Sequence, residues 1–239
     1  MADEAYIEWK DWRDEAFGRF DALQARYYAA ETGVSAIAGA RVLEIGFGNG
    51  SFIGWARSVN ADVFGVELSS ELAARACALL GEHRAFTSLS DDRLASLSGT
   101  FSLVVAFDVI EHIAQDELPG FLAKLRALLA ADGRVILRFP NGDSPFGRIY
   151  QHGDPTHLTT IGQEKLRYFA RQSGLEVQVI RAPTLSLSGA RFSRALKRTL
   201  IETGRHLVER AVALLYFGGR KVPLTPNYVA VLARVDTAI

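Results

Sequence analysis

The sequence predicts an α/β protein built on a mostly parallel sheet with helices on both faces. Three observations predict it. Short apolar, β-prone runs alternate with helical patterns through the central region. The first of these runs, Val42-Leu43-Glu44-Ile45, breaks into Gly46-Phe47-Gly48-Asn49-Gly50, and a helical pattern resumes at Ser51. The segment Phe101–Phe107, FSLVVAF, is apolar enough to be a strand buried on both faces.

The elements follow in order. Residues 1–30 read as an N-terminal arm. Within it 4–30 carries a helical pattern, because Tyr6, Ile7, Trp9, Trp12, Phe17, Phe20, Leu23 and Tyr27 recur about three and four apart. The arm could pack on the core, cover a ligand or contact a second subunit. Residues 31–239 form the main domain. Its strands are expected at Arg41–Ile45, Asp62–Glu67, Arg84–Thr87, Phe101–Phe107, Arg134–Phe139, Leu175–Ile180 and Tyr228–Arg234. Helices are expected at about 50–59, 70–80, 118–130 and 166–174, with Asp132-Gly133 ending the third. Residues 186–222 form a helical insertion before the last strand.

Lys plus Arg equals Asp plus Glu, so the net charge is zero. A general nucleic-acid binder usually shows a basic excess, so that class is disfavoured. The single cysteine, Cys77, excludes an internal disulfide and any cysteine-based zinc cluster. It lies among Ala and Leu in a helical stretch, which suits a buried structural thiol. The start, MADEAYIEWK, is acidic and aromatic, unlike a signal peptide. No apolar run approaches the ~20 residues that span a bilayer. A soluble, cytoplasmic protein is the expectation.

Ligands of open parallel sheets sit at the carboxyl ends of the strands. That rule gathers Gly46–Gly50, Glu67, Asp108–His112 and Pro140–His157 on one rim. A glycine turn between strand and helix lets backbone approach a ligand closely, beneath the free N–H groups of the helix. The turn therefore reads as a nucleotide-type cofactor site. A dinucleotide fingerprint is G-x-G-x-x-G. Here the third glycine, Gly50, comes one residue early, and Glu44 stands two before the first. A carboxylate there repels a pyrophosphate but can hold an ammonium group. Glu67, 17 positions after Gly50, ends the next strand and can accept bonds from both ribose hydroxyls. Leu68 beside it could pack on an adenine face. Asp91, or Asp92 next to it, could meet the adenine amino group.

Glu44-x-Gly46-x-Gly48-x-Gly50 resembles motif I of the class I S-adenosylmethionine (SAM)-dependent methyltransferases. The segment FDVIEHI at 107–113, with Asp132-Gly133 and Pro140-Asn141, extends the likeness over about 38–180. It is similar to the group that includes ubiquinone-biosynthesis O-methyltransferases and bacterial surface-polysaccharide methyltransferases. The resemblance implies a Rossmann-like, seven-stranded sheet with its last strand antiparallel. It implies SAM as cofactor, contacted at Glu44, Gly46, Gly48, Gly50 and Glu67, and Phe47 and Asp108 are further expected contacts.

If the chain turns helical at Asp108, then Asp108, Glu111 and His112 share a face. They could brace the loop, orient a general base, or bind a divalent cation that acidifies a hydroxyl. Some relatives hold Mg²⁺ on a similar E-x-x-E-H run with one more histidine. Asp108 departs from that run by one methylene, and His157 is the candidate for the extra ligand. The loop Pro140–Leu158 is long and polar, as functional loops are. In it His157 is the leading candidate for proton removal, with Asp154 placed to orient it. Capping by Asp154 and packing of His157 is the plainer reading.

The insertion holds Arg191, Arg194, Lys197, Arg198, Arg205, Arg210, Arg220 and Lys221 against Glu202 and Glu209, a local excess of +6. With its apolar residues it could contact a membrane surface through 191–221, grip an anionic glycan, pack on the core or join a homo-oligomer. The expected activity is methyl transfer from SAM to a sugar hydroxyl on a bacterial surface-glycan precursor. A quinone-like phenol is the next acceptor. A non-catalytic SAM-binding module and an NAD-dependent oxidoreductase are the alternatives from other classes, the latter opposed by the glycine spacing and Glu44.

Overall fold

The computed structural model describes residues 8–10, 12, 17–184 and 192–235, with side chains of the last long helix described from Leu200 onward. Its strands are β1 (Arg41–Ile45), β2 (Asp62–Val66), β3 (Ala85–Phe86), β4 (Phe101–Phe107), β5 (Leu129–Pro140), β6 (Leu175–Arg181) and β7 (Asn227–Arg234). They form one seven-stranded sheet in the order β3-β2-β1-β4-β5-β7-β6. β7 runs antiparallel to both neighbours, Pro140 facing Asn227 and Arg181 facing Val229. The other pairings are parallel. The Rossmann-like sheet expected from the sequence is the one observed.

The helices are α1 (Ala22–Thr32), α2 (Val34–Ile37), α3 (Ser51–Ser58), α4 (Ser70–Leu80), α5 (Asp92–Ala95), α6 (Leu118–Leu128), α7 (Arg148–Gly153), α8 (Gln163–Gln172) and α9 (Phe192–Phe217). Successive strand residues point to opposite faces, so the central strands feed two cores, while the edge strand β6 feeds one. Val104 and Ala106 pack with Leu122 and Leu125 of α6 and Leu166 and Phe169 of α8. Leu103, Val105 and Phe107 pack on the other face with Tyr28 of α1, Ile53 and Trp55 of α3 and Leu72 of α4. Both faces are thereby dry, as a parallel sheet requires. Cys77 is only partly buried at the edge of the second cluster.

Three sequence expectations are corrected. The N-terminal arm is not one helix over 4–30. The described part is helical at 8–9 and from Ala22, while Gly18 takes φ +71° and Asp21 caps α1. Asp21 accepts from the N–H groups of Leu23 and Gln24, and Gln24 returns a bond to the Asp21 N–H. That capping box holds the helix start there. Tyr6 and Ile7 lie outside the described residues. α6 ends at Leu128 rather than 130, because Leu129 pairs with Phe101 and starts β5 five residues early. Asp132-Gly133 is an irregular stretch inside that strand, where the register against β4 shifts.

Candidate active site

Gly46, Gly48 and Gly50 link β1 to α3 and all take positive φ, 66°, 50° and 72°. Side chains there would be strained and crowded. A Cβ on Gly46 would stand 2.7 Å from Val109, and one on Gly48 would stand 2.8 Å from the Trp12 ring. Phe47 points down into the core against Gly65 and Ile53. Trp12 and Phe17, from the N-terminal segment, cover Gly48 and Gly50 from outside.

The two acids flank this turn. Glu44 is 5% exposed, and its Oε2 has no hydrogen-bond partner. Burial, then the nearby Glu67, pushes its carboxyl well above the usual range. Glu67 accepts from the Gly48 N–H at 3.1 Å and the Ser69 N–H at 3.2 Å, so its carboxylate is pinned beside the turn. Leu68 is 68% exposed. Asp91 caps α5 and pairs with Arg93, whose hydrogen bonds hold it below the usual carboxylate range.

A cavity of about 530 Å³ joins the glycine turn to the rim of the sheet. Glu44, Gly46, Phe47 and Gly48 line one end, and Asp108, Glu111, His112 and His157 the other. Gly50, Glu67, Leu68 and Asp91 are not in its lining.

Asp108 does not start a helix. It takes φ 57°, and a short 3₁₀ turn follows at Ile110–His112. The expected common face of Asp108, Glu111 and His112 is therefore replaced by a split. Asp108 turns to Arg138 of β5, whose Nε donates to Oδ1 at 2.9 Å and whose second nitrogen bonds Oδ2. Arg138 also lies 5.3 Å from the Tyr27 ring and 5.2 Å from the Phe107 ring. Burial alone would lower its pKa, yet Asp108 keeps it raised.

Glu111 and His112 stay together and meet His157. Glu111 is 1% exposed and neither carboxylate oxygen has a hydrogen-bond partner. Burial, then Asp108, holds its carboxyl well above the usual range. His157 Nε2 lies 4.0 Å from Glu111 Oε1 and 3.8 Å from Asp154 Oδ2. The two imidazoles stand edge to face with centroids 4.6 Å apart. Burial, then His157, lowers the His112 pKa. Asp154 is buried, which alone would raise its carboxyl. Bonds from the Thr156 hydroxyl and N–H and from Lys10 hold it below its ordinary range instead.

Sequence reasoning missed several lining residues. Tyr28 bonds Ser51 through its hydroxyl at 2.7 Å, and burial pushes its pKa up to about 12. Arg138 had a signal, since an arginine inside the apolar run VILRF needs a partner. Trp12 stood in the arm read as a possible ligand cover, Asn49 lay within the turn itself, and Lys10 had no signal.

A family profile described as "Methyltransferase domain" matches residues 8–179. That span includes the glycine turn, the rim and the loop to His157, and stops before α9. No curated protein matches the chain. Among solved structures, it is similar to a SAM-dependent methyltransferase from Archaeoglobus fulgidus at 17% identity and TM-score 0.58, over 96% of this chain and 99% of that one. It is similar to a TehB-like SAM-dependent methyltransferase from Corynebacterium glutamicum at 20% identity and TM-score 0.59, over 97% and 100%. The cyclopropane synthase MmaA2 from Mycobacterium tuberculosis shares the fold at 16% identity and TM-score 0.53, over 88% and 83%. With the family profile spanning most of its length on this sheet, the chain belongs to the methyltransferase-domain family and has the fold of its SAM-dependent enzymes.

Proposed function

We propose that the chain is a SAM-dependent O-methyltransferase acting on a sugar hydroxyl of a bacterial surface-glycan precursor. One observation carries the reading: the cluster of buried Glu111 with the partly buried His112 and His157 opens on the same cavity as Glu44 and the glycine turn. A hydroxyl acceptor has a proton to lose, and this cluster is built to take one.

The residues fit the cofactor. Glu44 has a buried oxygen in want of a donor, which an ammonium group supplies. Gly46 and Gly48 line the cavity without side chains to narrow it. Glu67 retains lone pairs for ribose hydroxyls beyond its two bonds. Leu68 and Asp91 remain the proposed adenine contacts. When bound, SAM supplies a methyl group on an electrophilic sulfonium.

His157 is the proposed base. Its Nδ1 lies 3.2 Å from the Gln151 carbonyl oxygen. A carbonyl only accepts, so Nδ1 carries the proton and Nε2 keeps its lone pair. The acceptor proton moves to Nε2, and the imidazolium formed faces Asp154 and Glu111. His112 is fixed likewise. The Thr156 hydroxyl donates to Asp154, so His112 Nδ1 donates to that hydroxyl at 2.9 Å. Asp108 acts through Arg138, as a positioning residue at the strand end.

Mg²⁺ is the alternative to a free base. Asp108 is engaged by Arg138, which leaves donor atoms of Glu111, His112 and His157 within 4.8 Å of one another. One carboxylate and two imidazoles do not suit Mg²⁺, which takes oxygen ligands. No step is assigned to it.

A quinone-like phenol is the second reading. It is favoured by Phe146, Ile149 and Tyr150, which are 53%, 75% and 53% exposed beside the cavity. Transfer of a labelled methyl group to a panel of sugar nucleotides, lipid-linked glycans and phenols tests both. Label in glycans supports the first, and label in phenols alone replaces it with the second.

A further inference from the structure

α9 turns its broad apolar side outward, with Arg205 and Arg210 exposed on its flanks. At about 100° per residue, Leu200, Ile201, Leu207, Val208, Leu214 and Leu215 fall in one arc of about 140°, with Gly204 and Ala211 among them. Glu202, Arg205, His206, Glu209 and Arg210 all fall outside it. The six large side chains are between 44% and 74% exposed. The other side meets the domain, where Glu209 accepts from the Leu224 N–H at 2.9 Å and Ala213 is buried. An ordinary surface helix does the reverse. An outward apolar face of this extent marks an interaction surface.

The apolar surface continues toward the active site. Val208 shares a groove of about 490 Å³ with Phe146, Ile149, Tyr150 and Leu224. Ile149 and Tyr150 also line the cavity that holds Glu44 and His157. An apolar track thus runs from α9 to the proposed site of methyl transfer.

Charge selects the occupant. Residues 186–222 hold eight basic and two acidic residues, an excess of +6 in a chain of zero net charge. A second copy would bring the same excess against itself, which opposes pairing. An anionic lipid surface complements it. None of the described helices is long and apolar enough to cross a membrane, so contact is with the surface alone.

We propose that α9 docks on the surface of an anionic bilayer, with Leu200, Leu207 and Leu214 in the acyl boundary and the groove opening toward the lipid. Only the groove's use by a lipid-borne acceptor rests on the methyl-transfer reading. Docking needs no turnover.

Co-sedimentation of the full chain with phosphatidylcholine vesicles, with and without phosphatidylglycerol, tests it. The expected result is binding to the anionic vesicles that weakens with salt. The double substitution Leu207→Asp, Leu214→Asp should weaken it by about tenfold or more, with SAM affinity unchanged as the check on folding. Arg210→Glu, which spares the apolar face, should weaken anionic binding in the same direction. Absence of wild-type binding to anionic vesicles overturns the proposal, and so does binding indifferent to these substitutions. So does a dimer, seen by light scattering, that Leu207→Asp converts to monomer. None of those outcomes touches the assignment of SAM.

Discussion

The Nδ1 of His157 stands 3.2 Å from the carbonyl oxygen of Gln151, while Nε2 faces Glu111 and Asp154. That arrangement gives the ring one tautomer, with the Nε2 lone pair turned toward Glu111 and Asp154 in a residue that lines the cavity. His157→Ala should cut turnover by ~10²–10⁴-fold and leave SAM affinity nearly unchanged. Single-turnover rates beside SAM titrations check this. A loss below about tenfold removes His157 from proton transfer.

Glu111 makes stability depend on pH in a definite direction. Its carboxyl is held above the usual range by burial and Asp108. The fold therefore keeps a proton that the unfolded chain loses near pH ~4.3. Stability is full below that value and falls as pH rises toward the raised folded pKa. Glu111→Gln keeps the shape and removes the charge. Its melting temperature should match wild type near pH ~4.5 and exceed it at pH ~7.5 by at least about 2 °C, the shift that ~1 kcal/mol produces at this size. A lower melting temperature at pH ~7.5 would mean that the ionised carboxylate has a partner in solution.

Gly54 in α3 is where the N-terminal segment crosses the helix. A Cβ there would stand 1.8 Å from the Gly18 carbonyl oxygen, and the Gly18 N–H donates to the Asn49 carbonyl. Gly54→Ala should push that segment, with Phe17, off the glycine turn. Overpacking of this kind costs about 1–3 kcal/mol, and SAM affinity should fall with it. Gly120→Ala in α6 is the control, since nothing lies within 4 Å of its Cβ. Replacing a helical glycine there should be neutral or stabilising by up to about 1 kcal/mol. Equal effects at the two positions would contradict the account of the crossing.

The donor set at the rim predicts how turnover responds to metal. EDTA should leave the rate unchanged and Mg²⁺ should not raise it. Loss on chelation, restored by Mg²⁺, would replace the base by a cation at Glu111, His112 and His157.

The sheet was legible because its signal is local. β1, β4 and the turn between β1 and α3 are continuous apolar runs punctuated by glycine, and they stand within a residue or so of their expected bounds. Pairings between distant strands left less trace. Asp108 read as the start of a helical face because i, i+3, i+4 spacing is all that a short segment offers. Arg138, 30 positions later, takes it elsewhere. Leu129 looked helical, and only its pairing with Phe101 makes it strand. The N-terminal arm carried a helical pattern through Gly18, yet Asp21 and Gln24 held a capping signature that marks where α1 begins. The outward face of α9 was not legible at all. Amphipathic spacing says which residues share a face, but not which face the domain takes.

The most direct test of the central claim is a calorimetric titration of the wild-type chain with SAM, with NAD run beside it. The turn at Gly46–Gly50, the unpartnered oxygen of Glu44 and the pinned carboxylate of Glu67 predict saturable one-site binding of SAM and no heat from NAD. Saturable binding of NAD, or no binding of SAM by folded protein, would contradict it.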